Sequence, residues 1–266
     1  MKNLCGGKMM PEYNKLEQLA CVAAKYLEDG KTVAVGTGLP LIAASLAQKT
    51  HAPNLIIIFE AGGISPIVPT LPISVGDSRT THKCLMAAGL AESMETMARG
   101  LVDYAFLGAA QIDMYGNINS TQIGLDHAHP KVRFPGSGGA NDFGSLCWET
   151  LLVLRPHDTK KFVPKVDFIT TPGYLTGPGT RDSAGLPPNT GPSHVITDLG
   201  VLGFDEQTKR MKIEKVHPGI TIATIRENTG FELLLDTKVS ETEEPTAEEL
   251  RLLREIIDPE RRIIGR

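Results

Sequence analysis

The chain has 266 residues, 41% hydrophobic and 22% charged, and its 31 acidic against 27 basic side chains leave a formal net charge of −4. These proportions exclude a disordered tail, a collagen-like chain and a coiled coil, and they supply no global basic field for nucleic acid. No apolar run approaches the roughly eighteen residues of a membrane span, so no membrane association is expected, and the opening residues 1–10 lack the continuous apolar stretch of a signal peptide.

Taken in chain order, residues 12–29 read as a helix. Leu16, Leu19, Ala20, Ala23, Ala24 and Leu27 share one face, and Gly30 caps the end. Thr32–Val35 is a short strand, and Gly36 to Pro40 turns into a second helix over 40–49. Leu55–Phe59 is a strand whose unbroken apolar run implies burial on both faces. Two such strands joined by a helix make a right-handed βαβ unit on a parallel sheet. An irregular Gly/Pro-rich stretch, 61–84, precedes a helix over 91–99 and a strand over 102–107. A tight turn is expected at Tyr115-Gly116-Asn117, then strands near 145–154 and over 166–170. Residues 172–194 form a long loop or flap, functional or mobile by its length. Residues 194–204 and 210–216 read as a hairpin or meander, and Glu241, Glu243 and Glu244 as a solvated linker. A terminal helix over 245–257 buries Leu250, Leu253 and Ile256. The fold class is α/β, an open, mostly parallel Rossmann-like sheet flanked by helices, with the whole chain, 1–266, as one domain.

The candidate chemistry sits in loops. Glu60 closes the second strand and is followed by Ala61-Gly62-Gly63. At a strand's carboxyl end such a carboxylate is half-buried and loses water, which favours nucleophilic attack, while the glycines let a substrate come close. The alternative is a salt-bridged or capping acid. In Phe134-Pro135-Gly136-Ser137-Gly138-Gly139-Ala140-Asn141, successive amides at Gly136, Gly138, Gly139 and Ala140 can form a nest for an oxyanion. No Lys follows, so it is no phosphate-binding P-loop. Gly108 to Asn119, with Gln111 and Asn117, makes a similar polar corner. Gly36-x-Gly38 could open a dinucleotide site with Glu60 as its ribose acid, but Leu41 stands where a third Gly belongs. His127 and His129 have no third ligand, and Cys5, Cys21, Cys84 and Cys147 match no ligand spacing, so neither a metal nor a disulfide is expected. Scattered reduced thiols fit a cytoplasmic protein.

In order, Val35-Gly36-Thr37-Gly38-Leu39-Pro40, Glu60-Ala61-Gly62, Gly108-Ala109-x-Gln111-Ile112-Asp113-x-x-Gly116-Asn117-x-Asn119 and Gly136-Ser137-Gly138-Gly139-Ala140-Asn141 resemble the β-type subunit of class I CoA-transferases, in particular the glutaconate branch. Ser74-Val75-Gly76-Asp77-x-Arg79, His129-Pro130-Lys131-x-Arg133-Phe134 and Val195-x-Thr197-Asp198 add to the likeness, which runs from about residue 14 to 260. The resemblance implies that Glu60 carries the acyl group and then coenzyme A in ping-pong steps. Coenzyme A is then a substrate, with no separate cofactor. It implies oxyanion or coenzyme A contacts at Gly136, Gly138, Gly139 and Ala140, with Gln111 and Asn117 behind them. It further implies an α-type partner in an α2β2 heterotetramer. Fused and acetoacetate-type members carry Ser-Glu-Asn-Gly where this chain has Phe59-Glu60-Ala61-Gly62, which fits the glutaconate branch. Steroid-degradation relatives that open rings hydrolytically leave an acyl-CoA hydrolase or ring-opening enzyme as an alternative. A sugar-phosphate sensor on the related isomerase-like fold is another.

Overall fold

The computed structural model describes residues 12–265; the opening residues 1–10 and Cys5 lie outside the described residues. The strands are β1 (Thr32–Val35), β2 (Ile56–Phe59), β3 (Gly63–Ile64), β4 (Met86–Ala87), β5 (Tyr104–Leu107), β6 (Gln111–Ile112), β7 (Ile118–Asn119), β8 (Gln122–Ile123), β9 (Val132–Arg133), β10 (Glu149–Leu154), β11 (Gly191–Thr197), β12 (Gly200–Phe204), β13 (Met211–Val216) and β14 (Leu234–Glu241). The helices are α1 (Lys15–Ala24), α2 (Leu39–Lys49), α3 (Leu90–Ala98), α4 (Ala140–Leu146), α5 (Thr180–Ser183), α6 (Ile222–Glu227) and α7 (Ala247–Arg251).

Among the described residues ten strands form one sheet in the order β14-β13-β12-β11-β10-β5-β1-β2-β3-β4. The five from β11 to β2 are parallel, and antiparallel strands extend both edges, with β14 again parallel to β13. This is the expected open α/β sheet. Its central strands are apolar throughout because both faces are covered. Val33, Val35, Ile57, Phe59 and Phe106 join the core under α1 and α2. Ala34, Ile58, Ala105 and Leu107 alternate into the core under α3 and α4. No helix among the described residues is long and apolar enough to cross a membrane.

The chain ends are clamped together. Asn14 caps α1 by accepting from the Leu16 and Glu17 amides, so the helix begins later than the periodicity alone predicts. Glu17, almost fully buried, takes two bonds from Arg254 at 2.6 and 2.8 Å.

Several expected elements differ. Residues 166–170 form no strand: the Asp167 amide is taken by a side chain, and the Thr170 amide makes a single bond to the Ile118 carbonyl that no ladder extends. Asp167 donates its amide to Gln111 Oε1 and accepts from the Gly124 amide. The strand near 145–154 starts at Glu149, since α4 occupies 140–146. The acidic run is the expected solvated link, leading from β14 to α7 with Glu241 and Glu243 exposed, but two of its carboxylates also hold partners. Glu241 ends the edge strand β14, Glu243 pairs with Lys25, and Glu244 accepts from the Tyr13 hydroxyl. After α7 the chain enters a π-helical turn over Leu252–Ile257. Ile257 is buried while Ile256 is 49% exposed, because Ile257 stands seven residues after Leu250 and four after Leu253 and so shares their buried face. The 172–194 loop is not a loose flap. The buried Arg181 guanidinium donates to the carbonyls of Pro172, Gly173, Gly144 and Ser145 and to Thr190 Oγ1.

Candidate active site

Glu60 is half-buried where β2 leaves the sheet. A turn closed by the Gly62 amide on the Phe59 carbonyl (3.0 Å) swings the chain back, and Ser93 of α3 donates to the same carbonyl at 3.4 Å. The backbone under Glu60 is therefore fixed from two sides. Gly62 and Gly63 do not open space for a ligand, contrary to the expectation from sequence. A methyl on Gly62 would stand 2.0 Å from the Ala88 carbonyl oxygen, and one on Gly63 1.8 Å from that of Thr80. The chain itself fills the room those glycines leave.

The loop 134–139 meets Glu60 from the other side of the rim. A methyl on Gly138 would lie 3.8 Å from Glu60 Oε1, and one on Gly139 only 3.3 Å from that atom and 3.2 Å from Glu60 Cδ. Two segments about eighty residues apart in sequence thus converge on one carboxyl. Both glycines are needed here: Gly138 has φ +49°, and Gly139 has no space for a side chain.

The four-amide nest is smaller than expected. Gly136 N–H donates to the Ser120 carbonyl (3.2 Å) and Ala140 N–H to the Ser137 carbonyl (2.9 Å). Among the described residues no protein group accepts from the Gly138 or Gly139 amide. The loop is held by Ser120 Oγ on the Gly136 carbonyl, by Asn141 Nδ2 on the Thr170 carbonyl and by Thr171 Oγ1 on the Ala140 carbonyl.

Gln111 and Asn117 lie deep in this scaffold. Asn117 spends both amide groups on its own chain, donating to Asp113 and the Leu175 carbonyl and accepting from the Gly173 and Leu175 amides. Gln111 Oε1 accepts from Asn119 and Asp167, and Asn119 in turn accepts from the Thr121 amide. Their geometry is that of supports beneath the loop. Burial pushes Asp113 up to about 6, against the hydrogen bonds from Asn117 and the Tyr115 amide that favour its charge.

The rim itself is open. Gly36, Gly38 and Gly136 face free space, with no atom within 4 Å of where a methyl would stand. The rim spans the ends of β5, β1 and β2, where the strand order reverses and α/β sheets place their ligands. A cavity of about 520 Å³ bounded by Tyr174, Arg181, Asp182, Thr190 and Lys209 does not include Glu60. Leu41 is fully buried, so the third position of a dinucleotide fingerprint holds a bulky side chain. His129 pairs with Asp126 and His127 stacks on Phe168. Among the described residues no three His, Cys, Asp or Glu side chains gather as metal ligands. Ser93, Met94, Ser120 and Thr170 went unread in the sequence, because lone hydroxyls and a methionine at helical spacing look like ordinary core.

Residues 16–228 match the family model described as Coenzyme A transferase. The chain is 42% identical to the B-type subunit of glutaconate CoA-transferase from Acidaminococcus fermentans, covering 93% of each chain. It is 37% identical to the B-type subunit of 3-oxoadipate CoA-transferase from Pseudomonas knackmussii, over 92% of this chain and 94% of that one. In three dimensions it is similar to the crystal structure of glutaconate coenzyme A-transferase from Acidaminococcus fermentans. The TM-score is 0.91 at 40% identity, over 97% of this chain and 99% of that one.

Proposed function

This chain belongs to the coenzyme A transferase family, and from that premise we propose that it is the B-type subunit of an enzyme moving coenzyme A from an acyl-CoA to a carboxylic acid, with Glu60 as covalent carrier. The observation that carries this reading is the convergence of Gly138 and Gly139 on the Glu60 carboxyl, which leaves methyls on them only 3.8 and 3.3 Å from its Oε1. A nucleophile and two free amides at one point are what acyl transfer requires.

A Glu60 oxygen attacks the thioester carbonyl, and the Gly138 and Gly139 amides receive the oxyanion. The C–S bond breaks and leaves an acyl-glutamyl anhydride and CoA thiolate. The thiolate attacks the Glu60 carbonyl, releasing the donor as its carboxylate and leaving a glutamyl-CoA thioester. The acceptor carboxylate attacks that thioester and forms a second anhydride. The returning thiolate attacks its acyl carbon, so the product acyl-CoA departs and Glu60 is restored. The charges balance without metal or redox chemistry. Two relatives named as CoA-transferase chains of the B type act on dicarboxylate chemistry by name, glutaconate and 3-oxoadipate, so the acceptor class is a dicarboxylate such as glutaconate. The open rim and the B-type character of those relatives support an α-type partner that completes the pocket, and we propose that the two assemble as α2β2.

The test uses the chain co-produced with its α-type partner. Incubation with acyl-CoA followed by hydroxylamine or borohydride should modify Glu60, read by peptide mass, and the kinetics should be ping-pong. Glu60→Gln should lower kcat by about 10⁴-fold or more, the scale of losing a nucleophile. Undiminished transfer in that variant refutes the carrier role. Release of free acid and CoA without an acceptor, and without an adduct, would instead identify a hydrolase.

A further inference from the structure

Met94 has no group suited to proton or acyl transfer, yet it stands at the proposed reacting carboxyl. It follows the buried Ser93 on α3, whose hydroxyl holds the Phe59 carbonyl. The point where a methyl on Gly139 would sit is 2.7 Å from Met94 Cε and 3.2 Å from Glu60 Cδ. The thioether methyl and the carboxyl carbon therefore border the same point beside Gly139, no more than about 6 Å apart. Further along α3, Met97 is fully buried, whereas Met94 is only partly so. Met94 thus sits where the apolar core gives way to the open rim.

A covalent carrier has a specific vulnerability. Water can attack the glutamyl-CoA thioester as the acceptor does. Its oxygen bonds to the carbonyl carbon, the C–S bond breaks, CoA leaves as the thiol with a water proton, and Glu60 is regenerated with nothing transferred. Excluding water is the remedy. A thioether methyl gives water no hydrogen bond, and the sulfur is a weak acceptor. Methionine is also flexible enough to yield as the carboxyl swells into a tetrahedral intermediate.

We propose that Met94 holds water off the flank of Glu60 and so sets how the glutamyl-CoA intermediate divides between transfer to a carboxylate and hydrolysis. The proposal rests on the reading of Glu60 as carrier, and deepens it. The test compares wild type, Met94→Gln (equal length, polar), Met94→Ala (open) and Met94→Leu (apolar) in the assembled complex. The donor is acetyl-CoA, and the acceptor is whichever of glutaconate, 3-oxoadipate or succinate gives the highest wild-type rate. Product acyl-CoA is measured by chromatography and free CoA by thiol titration, so each variant yields a transfer-to-hydrolysis ratio. The ratio should fall about tenfold in Met94→Gln and Met94→Ala, the scale of an altered apolar wall, and Met94→Leu should restore most of it. A purely structural role would lower both rates together and leave the ratio alone. An unchanged ratio in Met94→Gln and Met94→Ala, with the Glu60 adduct still forming, overturns the role of Met94 and spares the carrier. No adduct or no turnover in wild type with any acceptor overturns the carrier reading, and this one with it. If Met94→Ala fails to assemble, Met94→Gln decides.

Discussion

Single glycines separate what builds the fold from what borders the carboxyl. Gly63 and Gly173 are demanded by backbone, since a methyl would meet the Thr80 carbonyl oxygen at 1.8 Å or the Gly116 carbonyl carbon at 2.3 Å. Nothing there can move without the chain moving. At Gly139 the three atoms nearest to a methyl all belong to side chains, the Met94 methyl and the Glu60 carboxyl. Gly139→Ala should therefore fold, push Glu60 out of line and lower kcat in the assembled complex by about 10²-fold, the cost of misplacing a reacting group by an ångström. Thermal melting and steady-state kinetics read the two effects separately, and an unchanged kcat would refute the contact's importance. Glu60 was legible in the sequence because a carboxylate ending an apolar strand breaks the pattern. Met94 was not, because a methionine at helical spacing is indistinguishable from core until its neighbours are known.

At the scale of elements, regular apolar periodicity was a reliable guide and irregular hydrogen bonding was not. β1, β2, α2 and β5 lie close to where their patterns put them. Residues 166–170 have strand-like composition, but Asp167 and Gln111 take over the backbone pairing. β14 was hidden because its residues are mostly exposed and carry no alternation. The buried face of the last helix runs through Leu250, Leu253 and Ile257 and leaves Ile256 half-exposed. That pattern predicts that Ile257→Ala, which empties a buried site, costs about 2–4 kcal/mol of stability. Ile256→Ala, at a half-exposed site, should stay within about 1 kcal/mol by the usual scale of surface changes. Urea unfolding of both variants checks this, and equal losses would refute the difference in burial between the two side chains.

Across the whole molecule, two buried histidines tie the turn after β11 to the segments packed on it. His157 lies 2.9 Å from Thr197 Oγ1 and 3.0 Å from Thr229 Oγ1, and His217 bonds the Thr197 carbonyl and Thr242. Burial pushes His157 down to about 4, against the pull of Asp198 and Asp158. Burial lowers His217 as well, against its bond to Thr197. A histidine kept neutral in the fold but ordinary when unfolded stabilises fully above about 6.5 and loses that contribution as pH falls toward about 4. Asp113 runs the other way, its share present below its ordinary 3.8 and lost as pH rises through about 6. The two oppose in the same window, so the wild-type curve alone does not separate them. His157→Gln does: its melting temperature should trail wild type by more at pH 7.5 than at pH 4.5. An equal deficit at both values would show that His157 is not held neutral.

The sequence by itself determined the alternating sheet, the carboxylate at the end of β2 and the glycine-rich loop, because periodicity and residue chemistry are local properties. Only the tertiary structure decided that the loop and the carboxylate touch, and that two amides are free where four were expected. It also decided that Gln111 and Asn117 serve the scaffold and that a methionine borders the site. Those outcomes depend on which atoms from distant segments claim each hydrogen bond and each space, and no local pattern records that competition.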